Sequence, residues 1–133
     1  MKRIIIIISI SLLLTGCLGE TAKGYITKTC TKEEYANNSK ISKTITIKSK
    51  SENIETIEIK EIYDKDLDVL DSKKSEQVYY KTENGITLDI NNNEYKYTIN
   101  PEKISDDIKE RFNIKKEQHK QIKQYEDMGY TCK

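Results

Sequence analysis

Proline, glycine and histidine are scarce in this chain of 133 residues, at one, five and one respectively. So little glycine and proline excludes a flexible low-complexity tail. The lone His119 reads as a solvated surface residue, because catalysis needs converging groups and a metal needs further ligands. Glu117 and Gln118 adjoin it, but immediate neighbours on a helix do not share a face. No Gly-rich phosphate loop, nucleophile elbow or paired-carboxylate motif occurs, so no cofactor and no metal are expected. The net charge is only +1. That gives neither the basic footprint of a nucleic-acid binder nor a strong electrostatic hold on anionic lipid. No internal repeat is visible. The one long apolar run, residues 4–14, is too short for a spanning helix, which needs about 20 apolar residues.

That run is nevertheless the most informative segment present. Lys2 and Arg3 precede it and Leu14-Thr15-Gly16-Cys17 closes it. A basic start, a short apolar stretch and small residues at the cut describe an export signal. Ending in Leu-Thr-Gly-Cys, it resembles the lipobox of bacterial lipoproteins. The resemblance implies cleavage before Cys17, a thioether-linked diacylglycerol on Cys17, and a place on the extracytoplasmic face of the cell membrane. The expected division is a signal peptide over residues 1–16, a lipidated tether over 17–23 and one domain over 24–133. Removing residues 1–16 leaves 117 residues, one ordinary domain, and takes the 23 basic side chains to 21 against 22 acidic. Residues 18–23, fully extended, reach only ~20 Å, so the domain sits close to the bilayer.

Of the three cysteines, Cys30 and Cys132 remain for an exported domain, where thiols stay oxidised. A Cys30–Cys132 disulfide is expected, tying the first strand to the last residues. The alternative, a pair of metal or redox thiols, lacks a CxxC spacing or a nearby histidine.

The mature part is polar, yet nine tyrosines and alternating isoleucines mark half-buried strands. Residues 25–32 alternate, with Ile26 and Cys30 on one face. Residues 41–48 and 56–63 form a hairpin around Ser51-Glu52-Asn53. Its register pairs Ile47 with Ile57, Ile45 with Ile59, Lys43 with Glu61 and Ile41 with Tyr63. One face is then apolar with a single cross-strand ion pair, and a one-residue slip loses the match. A second hairpin joins residues 86–90 to 95–99 through Asn91-Asn92-Asn93-Glu94. Pairing Ile90 with Tyr95 also pairs Leu88 with Tyr97, Ile86 with Ile99, Asp89 with Lys96 and Thr87 with Thr98. Both faces agree on one register.

Between the hairpins the period changes. Over residues 64–84, Leu67, Leu70, Lys74, Val78 and Lys81 fall on one helical stripe, with Asp64 or Asp66 as N-cap and Gly85 as the stop. Asn100-Pro101 starts another helix, burying Ile104, Ile108 and Phe112. A last helix begins near Asn113 with Ile114, Gln118, Ile122 and Tyr125 inward, and Gly129 ends it. Tyr130-Thr131-Cys132 returns as an extended end. The fold class is α+β, an antiparallel sheet of about five strands with helices packed on one face.

A small lipoprotein with this order of elements, closing on Met128-Gly129-Tyr130, resembles the YehR-type bacterial lipoproteins. Those are small envelope proteins of unknown function. The arrangement Cys30…Tyr130-Thr131-Cys132-Lys133 also resembles small lipoproteins of low-GC Gram-positive bacteria. The resemblance transfers no functional residue.

Asp64-Lys65-Asp66-Leu67-Asp68 has the alternate carboxylates of a calcium loop, but Val69 and Ser75 stand where that loop needs Gly and Glu. Helix-start acids complementing the dipole are the plainer reading. Tyr79, Tyr80, Tyr95 and Tyr97 form either an aromatic platform for peptide or glycan, or core with hydroxyls at the rim. Lys115, Lys116 and Lys120 form either a contact to headgroups or a solvated helix face. The expectation is a non-enzymatic envelope lipoprotein, held to the membrane through Cys17, that binds an envelope protein or a small ligand and no nucleic acid. The alternatives are a structural or stress-related lipoprotein without a specific ligand, and an enzyme using carboxylates such as Asp64 and Asp66.

Overall fold

The two hairpins form in the expected registers. The computed structural model describes residues 20–21, 24–36, 38–64 and 69–133. The signal peptide, Cys17 and Leu67 therefore lie outside the described residues. Strand β3 (Ser39–Lys50) pairs with β4 (Asn53–Tyr63), setting Ile47 against Ile57, Ile45 against Ile59, Lys43 against Glu61 and Ile41 against Tyr63. Strand β5 (Ile86–Asn91) pairs with β6 (Glu94–Ile99), with Ile90 opposite Tyr95 and Ile86 opposite Ile99. Both turns tighten to two residues, because Asn53 and Glu94 still pair across them. Ser51 and Asn92 take the positive φ this requires, at 54° each.

One irregularity matters for packing. Ile54 and Ile57 are three apart, which simple alternation would put on opposite faces. The partners shift from Lys48–Thr56 to Ser49–Ile54, so Glu55 is an extra residue in β4. That bulge brings Ile54 and Ile57 to the same side, and both are buried.

The strands make one antiparallel sheet in the order β1-β2-β3-β4-β6-β5, where β1 is Glu20–Thr21 and β2 is Tyr25–Ala36. A seventh strand, β7 (Thr131–Cys132), pairs with β2 on the same edge as β1. The sheet thus exceeds the expected count of about five, five of its strands being long. The two short ones carry too few residues to show alternation.

One face of the sheet is apolar and covered. Ile45, Ile47, Ile57, Ile99, Ile86, Leu88 and Tyr97 lie on it, joined in one core by Ile104, Ile108 and Tyr125 of the helical segments. The other face carries Thr29, Thr46, Glu58, Thr98 and Thr87 in one row across five strands. Helix α1 is Leu70–Tyr80, α2 is Asp106–Phe112 and α3 is Gln118–Asp127.

The helices depart from expectation in three places. Helix α1 is shorter than residues 64–84, has Val69 as N-cap without a side-chain cap bond, and stops at Lys81 rather than Gly85. Its inward side chains are Val69, Lys73, Gln77 and Tyr80, while Val78 is 63% exposed and Lys74 and Lys81 face solvent. Polar groups win the inner stripe because the sheet offers them partners: Gln77 Nε2 donates to the Leu88 carbonyl at 2.8 Å. Second, Asn100 caps a single turn, its Oδ1 accepting from Glu102 N, and Ser105 is the N-cap of α2. Third, α3 begins at Gln118, because Asn113 is left-handed, Glu117 is extended and the segment is bonded to the β3–β4 turn.

Candidate functional site

Two groups of side chains carry chemistry, and they differ in whether their charges are engaged. The first runs across the covered face at the α1 end. Lys43 and Glu61, expected to pair with each other, take other partners. Lys43 Nζ lies 2.7 Å from Glu34, which also takes Lys32 at 2.9 Å. Lys73 Nζ reaches Glu61 at 3.2 Å and donates to the Tyr97 hydroxyl at 2.6 Å. That hydroxyl in turn donates to Glu76 at 2.6 Å. Lys73 and Glu61 keep only 13% and 15% of their side-chain surface. Burial first, then the bond to Glu76, pushes the Tyr97 phenol far above its usual range, so it stays protonated. Hydrogen bonds from Lys43 and then Lys32 hold Glu34 below the usual carboxylate range. Every charge here has a partner, so the group is a polar strut between α1 and the sheet.

The tyrosines belong to that strut and to the core. Of the four tyrosines of the expected platform, Tyr80, Tyr95 and Tyr97 are buried and Tyr79 is open to solvent. Tyr97 meets Phe112 at 5.4 Å and Tyr63 meets Tyr95 at 5.4 Å, both edge-on. The packed alternative therefore holds over the exposed platform. Lys73 and Glu76 were missed in the sequence, because a lysine on an inner helical stripe reads as solvated when its partner tyrosine lies 24 residues away.

The second group is a cleft of about 520 Å³ lined by Asn53, Ile54, Pro101, Glu102, Lys109, Ile114, Lys115 and Lys116. Ile54 and Pro101 are buried and floor it, while Lys115 and Lys116 are exposed at its rim. Residues 113–117 are fixed on both sides. Asn113 adopts a left-handed conformation (φ 51°, ψ 48°) that ends α2, and Ile114 N bonds to Lys109 O at 2.8 Å. Buried Gln121 of α3 accepts from Lys115 N at 2.6 Å. Ile54 N donates to Lys116 O at 3.3 Å and Gln118 N to Glu52 O at 2.8 Å, stitching the segment to the β3–β4 turn. Lys109 pairs with Asp106 at 2.9 Å, but Lys115 and Lys116 pair with no carboxylate among the described residues. Apolar floor, cationic rim and this volume suit a small ligand or peptide bearing an anionic group. The cleft joins residues 53–54 to residues 101–116, so no local motif announces it.

His119 lies near this cleft. Its Nδ1 is 3.0 Å from Glu52 and its Nε2 is 3.4 Å from Glu117. Glu117 reaches it because it is the extended N-cap of α3 rather than a helical residue. Lys120 also holds Glu117, at 2.8 Å, and with His119 lowers its pKa. Asp64 accepts from Ser39 Oγ at 2.6 Å and Lys40 N at 2.8 Å, closing the β2–β3 end of the sheet rather than capping α1. Residues 65–68 lie outside the described residues, and no group of three potential ligands able to hold a metal occurs among those described.

The sulfurs of Cys30 and Cys132 are 2.01 Å apart, at disulfide distance. The two cysteines face each other across β2 and β7, flanked by reciprocal bonds between Thr29 and Lys133 at 3.1 and 2.9 Å. They thus occupy a non-hydrogen-bonded pair, where facing side chains come closest. No helix among the described residues is long and apolar enough to cross a membrane. No family model, curated protein or solved structure matches the chain.

Proposed function

We propose that this chain is a non-enzymatic lipoprotein of the cell envelope, anchored by a diacylglycerol on Cys17, that binds a small ligand or a partner protein outside the membrane. The observation that carries the reading is Leu14-Thr15-Gly16-Cys17, placed directly after a basic start and a short apolar run. Two structural features support it. The first described strand, β1, starts at Glu20, three residues after Cys17, which is compatible with a domain standing close to its membrane. Cys30 and Cys132 sit at disulfide distance, and such a bond persists in an oxidising compartment. The cleft beside Lys115 and Lys116 is the binding site in this reading. Kinship with the YehR-type lipoproteins, given by the order of elements and the closing Gly129-Tyr130, belongs to the same proposal.

The test is metabolic labelling with a fatty-acid probe, comparing wild type with Cys17→Ala. The expected result is a labelled, membrane-bound mature protein, with loss of label and accumulation of precursor in the variant. Unchanged labelling and location would refute the reading.

A further inference from the structure

The sheet's lysines divide by position. Lys32, Lys40, Lys43, Lys60 and Lys96 each lie within ion-pair distance of a carboxylate. Lys28, Lys48 and Lys50 lie toward the other end and have no such partner among the described residues. The first described strand, β1, lies along that end of β2. Glu20 of β1 pairs with Ile26, and Thr21 pairs with Tyr25, which faces Lys50 across β2–β3. Three Cα steps separate Cys17 from Glu20, so the anchor lies within about 11 Å of β1.

Lys115 and Lys116 belong to the same end, because Lys116 and Gln118 are bonded to the β3–β4 turn that follows Lys50. Lys48, Lys50, Lys115 and Lys116 are all exposed. The carboxylates closest in sequence are already engaged, Glu52 by His119 and Glu117 by Lys120 and His119. Glu102 is the one carboxylate lining the cleft. Ile26, 41% exposed, is an apolar side chain beside β1, on the face of the sheet shared with Lys28 and opposite to Lys48 and Lys50. Lys48 itself lies over the Tyr25 ring at 4.5 Å. The opposite end of the sheet presents Asp64, Glu94 and Asn91-Asn92-Asn93 instead.

From this juxtaposition we propose that the anionic headgroups of the leaflet holding Cys17 dock against the basic end of the sheet and set how the domain stands on the bilayer. The proposal rests on the anchored reading. The near-zero net charge does not oppose it, because a headgroup surface acts over roughly a Debye length, 8–10 Å, and meets only the charges at this end. Cations flanking an apolar side chain are the combination that lies in the headgroup–acyl boundary. The cleft rim would then open at headgroup level, so the phosphate of a lipid is its nearest anionic ligand.

The full chain is purified from membranes, and its intact mass reads acylation of Cys17. It is reconstituted in phosphatidylglycerol or phosphatidylcholine vesicles and treated with a membrane-impermeant amine reagent. Lys48, Lys50, Lys115 and Lys116 are expected to react about threefold or more slowly on the anionic vesicles only. Lys60 and Lys96 should react equally on both, and about 1 M salt should abolish the difference. In a Lys50→Gln/Lys115→Gln/Lys116→Gln variant, all at exposed positions, Lys48 should lose its protection. Equal rates on the two vesicle types, or protection that includes Lys60 and Lys96, would overturn the proposal. A mass without diacylglycerol sinks the anchored reading alone. The unlipidated chain with added phosphatidylglycerol vesicles then decides docking, protection of the four lysines upholding it and free reaction overturning it.

Discussion

Replacing Cys132 by alanine tests how much of the fold depends on one covalent link. Cys132 is half-buried while Cys30 is fully buried, so Cys132→Ala removes the bridge and leaves the core thiol as a small apolar group. The bridge spans 102 residues of sequence. Closing a loop of that size lowers the entropy of the unfolded chain by an amount worth ~4.7 kcal/mol at 25 °C in the chain-entropy model. Against the ~5–15 kcal/mol by which domains are stable, that is a third or more of the whole. For a domain of this size the same change corresponds to a drop in Tm of roughly 20 °C. Equilibrium urea unfolding of the two proteins reads the loss directly, and the m-value should rise because the unlinked unfolded chain exposes more surface. An unchanged midpoint, or two free Cys30 and Cys132 thiols in the unreduced wild-type protein, would refute the reasoning.

Other substitutions probe separate devices. Tyr97→Phe removes the hydroxyl that joins Lys73 to Glu76, and urea unfolding should show a loss of about 1–3 kcal/mol, as for hydrogen bonds to charged groups. Gly85→Ala meets φ +76° and a Cβ only 2.6 Å from Lys103 Cβ and 2.9 Å from Ile104 N, so strain and overlap together should cost about 2–4 kcal/mol. Gly24→Ala has φ +71° but open space around it, and should cost only about 1 kcal/mol by the same assay. Glu34 has a lowered pKa in the fold, so its contribution is present above the unfolded value near 4.3 and fades as the pH falls below that through the folded value. With the pair still a third exposed, Glu34→Gln should lower stability by no more than ~1 kcal/mol at pH 7 and remove part of the acid dependence, measured by thermal melts from pH 3 to pH 7.

How much of this was legible in the sequence depended on whether neighbouring positions vote together. In the β5–β6 hairpin, Ile90–Tyr95 and Asp89–Lys96 demand the same register from opposite faces, and the structure obeys both. Ile104 and Ile108 of the second helical segment are buried as their spacing requires. Helix α1 lacks such agreement. Its few apolar residues, Leu70 and Val78, point outward, and its inner face is selected by hydrogen bonds to Tyr97 and Leu88 that no local pattern encodes. The bulge at Glu55 hid Ile54 by breaking the alternation that would have announced it. The strand order, with β6 rather than β5 beside β4, follows from nothing in either hairpin alone. The same holds for the cleft, whose walls meet only after the strand order is set.

The way β2 is bordered has a consequence for how this sheet meets other chains. An outer strand presents open N–H and C=O groups that can recruit another chain into a growing sheet. Here β7 occupies the edge of β2 at Cys30 and Thr31, with Lys133 closing on Thr29, and the Cys132 sulfur staples that guard in place. Farther along, the consecutive charges Lys32, Glu33 and Glu34 make the uncovered stretch a poor template. At the opposite margin Gln77 engages the Leu88 carbonyl of β5. The tail thus acts as a chaperone of its own sheet: reduction would free about three residues of β2 and turn the domain into a nucleus for edge-to-edge assembly.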